Sequence, residues 1–231
     1  MDAAKRDDAV EQYNFGVMHT LGRGVETNER EAHIWYRKAI EKGFTPAQYN
    51  LGMMSKKICG VEKNEREAVA WFRKSAEQGF APAQYNLGVM YEEGRGIEKN
   101  EREAAAWFRK SAEQGYAPAH HNLAVLYAEG RGVEKNEREA VVWFRKAAEQ
   151  GYALAQYSLG LMYAHGRGVE KDGLEAHRFF MLAADQGFTE AQAVVAKTQV
   201  SVFIKFILWL AFCLALLVGF IWLIKTIWLA V

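Results

Sequence analysis

Apolar residues recur along this chain at the spacing of a helix, in short runs separated by glycine-rich breaks. In one run, positions three to four residues apart form an apolar stripe that begins at Ala83 and reaches Tyr91. After the break at residues 94–96, a second stripe includes Ala104, Trp107 and Phe108, with charged residues on the opposite face. The pattern therefore predicts two amphipathic helices joined by a short loop.

Signals at the ends of both runs support this helical hairpin. Pro82 suits the first turn of a helix because its φ angle is preset and it has no N–H to leave unpaired. Gly94 is suited to a left-handed cap at the end of the first helix, and Gly115 ends the second helix. Asn100 and Glu103 form an N-x-x-E pattern close to a capping box. The second helix is therefore predicted to begin directly after Asn100.

The hairpin repeats with a period of 36 residues, as the tryptophans show at Trp35, Trp71, Trp107 and Trp143. Phe179 occupies the fifth position of this series. One hairpin cannot bury its own aromatic residues, whereas stacked hairpins form a continuous core. We therefore expect five stacked units after a lead-in of residues 1–8, followed by a partial sixth repeat or capping helix over 188–199. The predicted units cover residues 9–43, 44–79, 80–115, 116–151 and 152–187.

These residues resemble the Sel-one-like repeat, a relative of the tetratricopeptide repeat with a longer loop. The matching positions of one unit are Ala83, Leu87, Gly88, Tyr91, Gly94, Gly96, Ile97, Ala104, Trp107, Phe108 and Gly115. The resemblance implies an all-α, right-handed α-α superhelix (solenoid) of helical hairpins. It also implies a role as a scaffold or adaptor for protein complexes, frequently at membranes.

Charge and cysteine content narrow the class of function. Of the 29 Lys and Arg residues 27 precede residue 200, as do all 28 Asp and Glu, so the repeat body carries a net charge of −1. A nearly neutral body lacks the basic excess of a nucleic-acid binder. Cys59 and Cys213 are too differently placed to pair, which favours a reducing compartment. The first twelve residues lack the apolar core of a secretory signal.

A single apolar stretch stands apart from the repeats. Residues 206–224 contain 19 apolar residues and no charge, and about 28 Å of helix matches a bilayer core of roughly 30 Å. Lys205 and Lys225 flank it, and Trp209 and Trp222 lie just inside, as in an aromatic belt. A buried core helix is the alternative. We predict a C-terminal transmembrane helix over 203–225 with a short tail, 226–231, and a tail-anchored topology with a cytosolic repeat body.

A second apolar stripe on each first helix gives the candidate binding groove. It consists of one aromatic and one aliphatic residue per unit, and its aromatic members include Tyr49, Tyr85, His121 and Tyr157. The groove interpretation makes them anchors for a peptide or partner helix, and the alternative is packing between units. Residues expected to be exposed beside them are Gln48, Gln84, His120 and Gln156. Asn86 is a candidate to hold a peptide backbone or, equally, to bond a loop carbonyl.

Motifs that carry chemistry are missing from the sequence. There is no phosphate-binding G-x-x-x-x-G-K-[ST], no H-E-x-x-H and no G-x-S-x-G. His120 and His121 are adjacent and would point about 100° apart on a helix, which chelates a metal poorly. We therefore expect no enzyme activity, cofactor or metal. The function predicted is a membrane-anchored scaffold that binds proteins or peptides. The alternative is a regulatory subunit or inhibitor of a membrane enzyme, recognised through the transmembrane span.

Overall fold

The computed structural model describes residues 3–57 and 65–198, and within these two ranges it contains helices and short connections without a strand. The helices alternate as first and second members of successive hairpins. The first helices are α1 (Ala3–Leu21), α3 (Thr45–Lys57), α5 (Ala81–Glu93), α7 (Ala117–Glu129) and α9 (Ala153–His165). The second helices are α2 (Glu29–Glu41), α4 (Glu65–Glu77), α6 (Glu101–Glu113), α8 (Glu137–Glu149) and α10 (Gly173–Asp185). The predicted solenoid of helical hairpins is confirmed.

The helix ends follow the local signals in the sequence. Asn100 caps α6, and its side-chain oxygen accepts hydrogen bonds from the N–H groups of Arg102 and Glu103 at 3.1 Å. This satisfies two of the amide groups that a helix leaves unpaired at its start. Gly94 ends α5 in the left-handed conformation with φ of 69°. The end of α5 at Gly94 and the start of α6 after Asn100 therefore agree with the sequence signals.

Each helix packs against its sequence neighbours, so the core runs continuously through the stack. Its large members are fully buried phenylalanine and aliphatic side chains, such as Phe72, Phe108, Leu87 and Leu123. Trp143 is buried in this core, whereas Trp35, Trp71 and Trp107 lie at its margin. Trp107 is only partly buried, and the ammonium of Lys110 lies 4.1 Å from its ring centroid, a cation–π distance. The phenylalanines therefore contribute most of the fully buried aromatic surface.

Backbone contact between units is closest where the second glycine of the loop meets the preceding unit. Gly132 adopts φ of 65°, and a Cβ atom placed on it would lie 2.1 Å from the carbonyl oxygen of Glu101. A distance this short excludes any side chain. The neighbouring Arg131 contacts two carboxylates of the preceding unit, with nitrogen–oxygen distances of 3.0 Å to Glu92 and 4.0 Å to Glu101. The loops that contain Gly96, Gly132 and Gly168 are thus seated directly on the start of the preceding second helix.

A further helical segment, residues 189–198, follows α10. It buries Ala191 and Val195, and Val195 packs in one cluster with Ala176 and Phe180 of α10. The segment therefore covers apolar surface that would otherwise be exposed at this end of the fifth unit.

Candidate functional site

The aromatic residues of the predicted groove form a row along the first helices, one in each unit. Tyr85 is half-buried, and its ring centroid lies 5.7 Å from that of Phe108 and 5.5 Å from that of Tyr116. These are favourable distances for aromatic pairs. The same pair of ring contacts recurs at Tyr13, Tyr49, His121 and Tyr157. Each ring therefore packs between its own second helix and the start of the next unit. The tyrosine rings keep a part of their surface accessible, whereas His121 is buried.

The polar ends of this row are hydrogen-bonded to the following unit. Tyr85 bonds the side chain of Asn122, and burial raises the pKa of its hydroxyl to about 12. Tyr49 bonds Asn86 in the same way, and burial raises the pKa of Tyr49 as well. In the fourth unit Nε2 of His121 lies 3.3 Å from the Ser158 hydroxyl. The row thus links neighbouring units through its polar groups and presents the flanks of its rings.

Asn86 is buried and uses its amide within the protein. Its Nδ2 donates to the carbonyl of Pro82 at 2.9 Å, and its side chain also bonds Tyr49. Of the two roles predicted for this residue, bonding a backbone carbonyl is the one that the structure shows. A contact between Asn86 and a bound peptide stays a prediction.

The expected exposure of Gln48, Gln84, His120 and Gln156 is wrong, because all four side chains are buried. They belong to a glutamine ladder, a set of side-chain bonds between the first and second helices of each unit from the second to the fifth. The partners that approach them from the next second helix are Gln78, Gln114, Gln150 and Gln186.

Geometry within the ladder explains the burial. Gln84 accepts from Nε2 of Gln114 at 2.7 Å and donates to the carbonyl of Ala76 at 3.1 Å. A buried amide is tolerated when both of its ends are hydrogen-bonded. The signal in the sequence was the glutamine that precedes the final glycine in four of the five units, because a residue of matched chemistry thirty positions earlier in the same unit can pair with it.

Two histidines replace the usual residues in the fourth unit. His120 stacks on Trp143 with ring centroids 5.5 Å apart, and its Nδ1 lies 3.2 Å from Nε2 of Gln150. Burial lowers the pKa of His120, and the nearby Lys146 contributes in the same direction. Burial also lowers the pKa of His121. Burial thus favours the neutral form of both rings. Among residues 3–57 and 65–198 no cluster of His, Cys, Asp or Glu could hold a metal ion.

The first-helix face opens into a cavity of about 360 Å³ between the first and second units. Its walls are formed by α1, α2 and α3. The lining residues are Tyr13, Val17, Thr20, Leu21, Glu29, Tyr36, Tyr49, Asn50, Met53 and Met54. Four of them, Tyr13, Val17, Tyr49 and Met53, belong to the apolar stripe predicted for the groove. Leu21 and Met53 are 55% and 37% exposed, so apolar surface reaches solvent here. Sequence reasoning missed Thr20, Leu21, Glu29 and Met54.

The predicted membrane segment, 203–225, lies outside the described residues, together with its flanking Lys205, Trp209, Trp222 and Lys225. In the part of the chain that the structure describes, every helix is too short or too polar to cross a membrane.

Comparison with known proteins identifies the repeat. The model of the Sel1 repeat matches five consecutive segments, residues 12–44, 45–80, 81–116, 117–152 and 153–188. A protective antigen of uropathogenic Escherichia coli strains, which displays an SLR fold, is 37% identical with a TM-score of 0.76. The match covers 84% of this chain and 41% of the antigen, so the chain spans less than half of that protein's length.

Two further solved structures are similar. A Sel1 repeat protein from Oxalobacter formigenes is 37% identical with a TM-score of 0.76, and the match covers 84% of this chain and 77% of that one. An immunity protein from Pseudomonas aeruginosa is 25% identical with a TM-score of 0.52, over 80% of this chain and 68% of that one. Comparison with curated proteins gives no significant match. Because the repeat model covers well over half of the sequence, the chain belongs to the Sel1 repeat family.

Proposed function

We propose that this chain is a membrane-anchored scaffold that binds proteins or peptides on the first-helix face of its repeats. Proteins of the Sel1 repeat family are protein-interaction scaffolds. The observation that carries the proposal is the row of partly exposed tyrosine rings, Tyr13, Tyr49, Tyr85 and Tyr157, with partly exposed aliphatic residues beside them. Regularly spaced aromatic and aliphatic groups on a rigid surface suit an extended or helical partner.

Membrane anchoring rests on the sequence of residues 206–224, which are apolar and free of charge over 19 positions. In this proposal, Lys205, Trp209, Trp222 and Lys225 lie at the two interfaces of the bilayer. The repeat body stays in the cytosol. Its partners are proteins, and the bilayer itself is contacted through the anchor.

Proximity labelling from the full-length protein in cells tests the interaction face. Val89 and Val125 lie beside the aromatic row and are only partly buried, so Val89→Lys with Val125→Lys should disturb binding more than folding. The matched control is Ala106→Lys, at an exposed position of α6. We expect the double variant to lose labelled partners that the control keeps. Identical partner sets, with helical circular dichroism unchanged in both variants, would refute the proposal.

A second candidate function is a regulatory subunit or inhibitor of a membrane enzyme that is recognised through the span. The similarity to a structure titled an immunity protein favours it. Replacing residues 206–224 by an unrelated apolar segment of equal length separates the two. A scaffold keeps its partners after this exchange, whereas a regulator recognised through its span loses its target.

A further inference from the structure

The cavity between the first two units has apolar walls and a polar floor that is already hydrogen-bonded. The Thr20 hydroxyl lies 2.9 Å from the Tyr36 hydroxyl and donates to the carbonyl of Gly16 at 2.8 Å. Tyr36 also bonds Asn50. A ligand therefore gains little affinity by hydrogen-bonding to these groups. The free surface is that of Val17, Leu21 and the two methionines, and methionine adapts readily to the shape of an inserted group.

Glu29 adds a carboxylate to this lining. It is the first residue of α2, a position occupied by glutamate in the first four units, at 29, 65, 101 and 137. In three of these units the carboxylate is paired with a cation of the same chain. Glu65 lies 3.1 Å from Arg95, and Glu137 lies 2.9 Å from Arg167.

Glu101 and Glu137 also approach the lysine two positions before them, Lys99 at 3.1 Å and Lys135 at 3.4 Å. In the first two units, neither the loop arginine nor the lysine two positions before the glutamate is present for Glu29. Thr27 stands at the position of these lysines, and Cys59 stands at the position of the loop arginines. Within the described residues, Glu29 has no ion pair.

An exposed carboxylate that has no ion pair among the described residues thus borders an apolar cavity of about 360 Å³, which lies within the size range of typical ligand pockets. This combination selects a ligand with an apolar group and an adjacent positive charge. Tyrosine rings on the same wall are compatible with a cation as well, because their faces are electronegative. An acidic segment would place like charges together and is disfavoured.

We propose that this cavity, formed by α1, α2 and α3, binds a basic peptide segment of the partner. A large aliphatic or aromatic side chain of the peptide enters between Val17, Leu21 and Met53. A neighbouring Lys or Arg pairs with Glu29, as the chain's own cations pair with the equivalent glutamates in later units. This inference rests on the proposed function and specifies the chemistry of the partner at one end of the groove.

Fluorescence anisotropy with the detergent-solubilised full-length chain tests the proposal. The probes are three labelled peptides of equal length, each with a central Leu-Phe pair flanked by two Arg, two Gln or two Glu residues. We expect the Arg peptide to bind most tightly and to weaken as NaCl rises from 50 to 300 mM, because a surface ion pair is screened by salt. Equal binding of all three peptides, or binding of none, would overturn the inference.

Two substitutions isolate the carboxylate. Glu29→Gln removes the charge, and Thr27→Lys supplies the intramolecular partner that the third, fourth and fifth units possess at this position. Each should weaken the Arg peptide by about two- to fivefold, the scale of one exposed ion pair, and leave the Gln peptide unaffected. Glu26→Gln, at an exposed loop position with the same change of charge, is the matched control and should bind as the native chain does.

The outcome also separates this inference from the proposed function. If Glu29→Gln and Thr27→Lys bind the Arg peptide like the native chain, the cavity inference fails, even where Val89→Lys with Val125→Lys still abolishes partner labelling. If that double variant keeps every labelled partner, the proposed function fails, whatever the peptides do.

Discussion

Gly132→Ala tests whether the close backbone contact between neighbouring units limits the stability of the stack. The matched variant is Gly151→Ala. Both glycines have positive φ angles, 65° and 81°. A Cβ atom on Gly132 would lie 2.1 Å from the carbonyl oxygen of Glu101, whereas one on Gly151 would have no atom within 4 Å. The pair therefore separates backbone strain from steric overlap.

The expected magnitudes follow from these two contributions. Placing alanine in the left-handed region costs about 1–2 kcal/mol at either site. The smaller conformational freedom of alanine in the unfolded chain returns about 0.4–1 kcal/mol. Gly151→Ala should thus lower the free energy of unfolding by about 1 kcal/mol. At Gly132 the overlap is with backbone and not with a side chain that can rotate away. Repacking adds about 1–3 kcal/mol, for a total loss of about 2–4 kcal/mol.

Urea unfolding followed by far-ultraviolet circular dichroism measures both losses. Because repeat arrays can unfold in parts, hydrogen exchange of the α6 and α7 amides should accompany it. We expect Gly132→Ala to reduce protection in these two helices more than Gly151→Ala does. Equal losses of stability in the two variants would refute the argument, since the steric contact would then contribute nothing.

Three further predictions concern the junctions between units. Burial lowers the pKa of His121, so the unfolded chain binds more protons in acid than the folded chain does, and the free energy of unfolding should fall as pH drops below about 6.5. His121→Tyr restores the residue of the other units and should reduce this loss, as measured by urea titrations at pH 5.5 and 7.5. The pKa of Tyr85 is raised to about 12, so Tyr85→Phe should remove the latest step in a spectrophotometric tyrosine titration; an unchanged titration curve would contradict the assignment. Arg131→Gln should lower the free energy of unfolding by less than about 1 kcal/mol, and this loss should shrink in 0.5 M NaCl, because surface ion pairs contribute little and are screened by salt. A larger loss that does not depend on salt would show that packing, and not charge, holds this loop.

Local features of the fold were predictable because their causes lie within a few residues of each other. The cap at Asn100 and the left-handed turn at Gly94 depend on near neighbours, so the sequence indicates them directly. The burial of Gln84 depends on Gln114, thirty residues away at the end of the second helix of the same unit, and on the Ala76 carbonyl of the preceding unit. A stripe drawn on a single helix assigns that amide to solvent, since it leaves out both of these neighbouring helices.

The candidate site was likewise predictable only in part. Repetition predicted the aromatic row, because every unit contains one of its members. The cavity was not predicted, because it depends on what the first two units lack. Thr27 and Cys59 stand where later units have cations, and such a difference becomes visible only when the equivalent glutamates are seen paired in space.

The bonds from Gln84 and Gln156 to carbonyls of the preceding unit and the contacts of the loop glycines each join only adjacent units. Deleting or inserting one full repeat would therefore bring together two surfaces that are already complementary. The stack can lengthen or shorten by gene duplication and loss without any new interface having to evolve. Individual repeats can then diverge in sequence. A change in one unit can give that unit a function of its own while the rest of the array is unchanged.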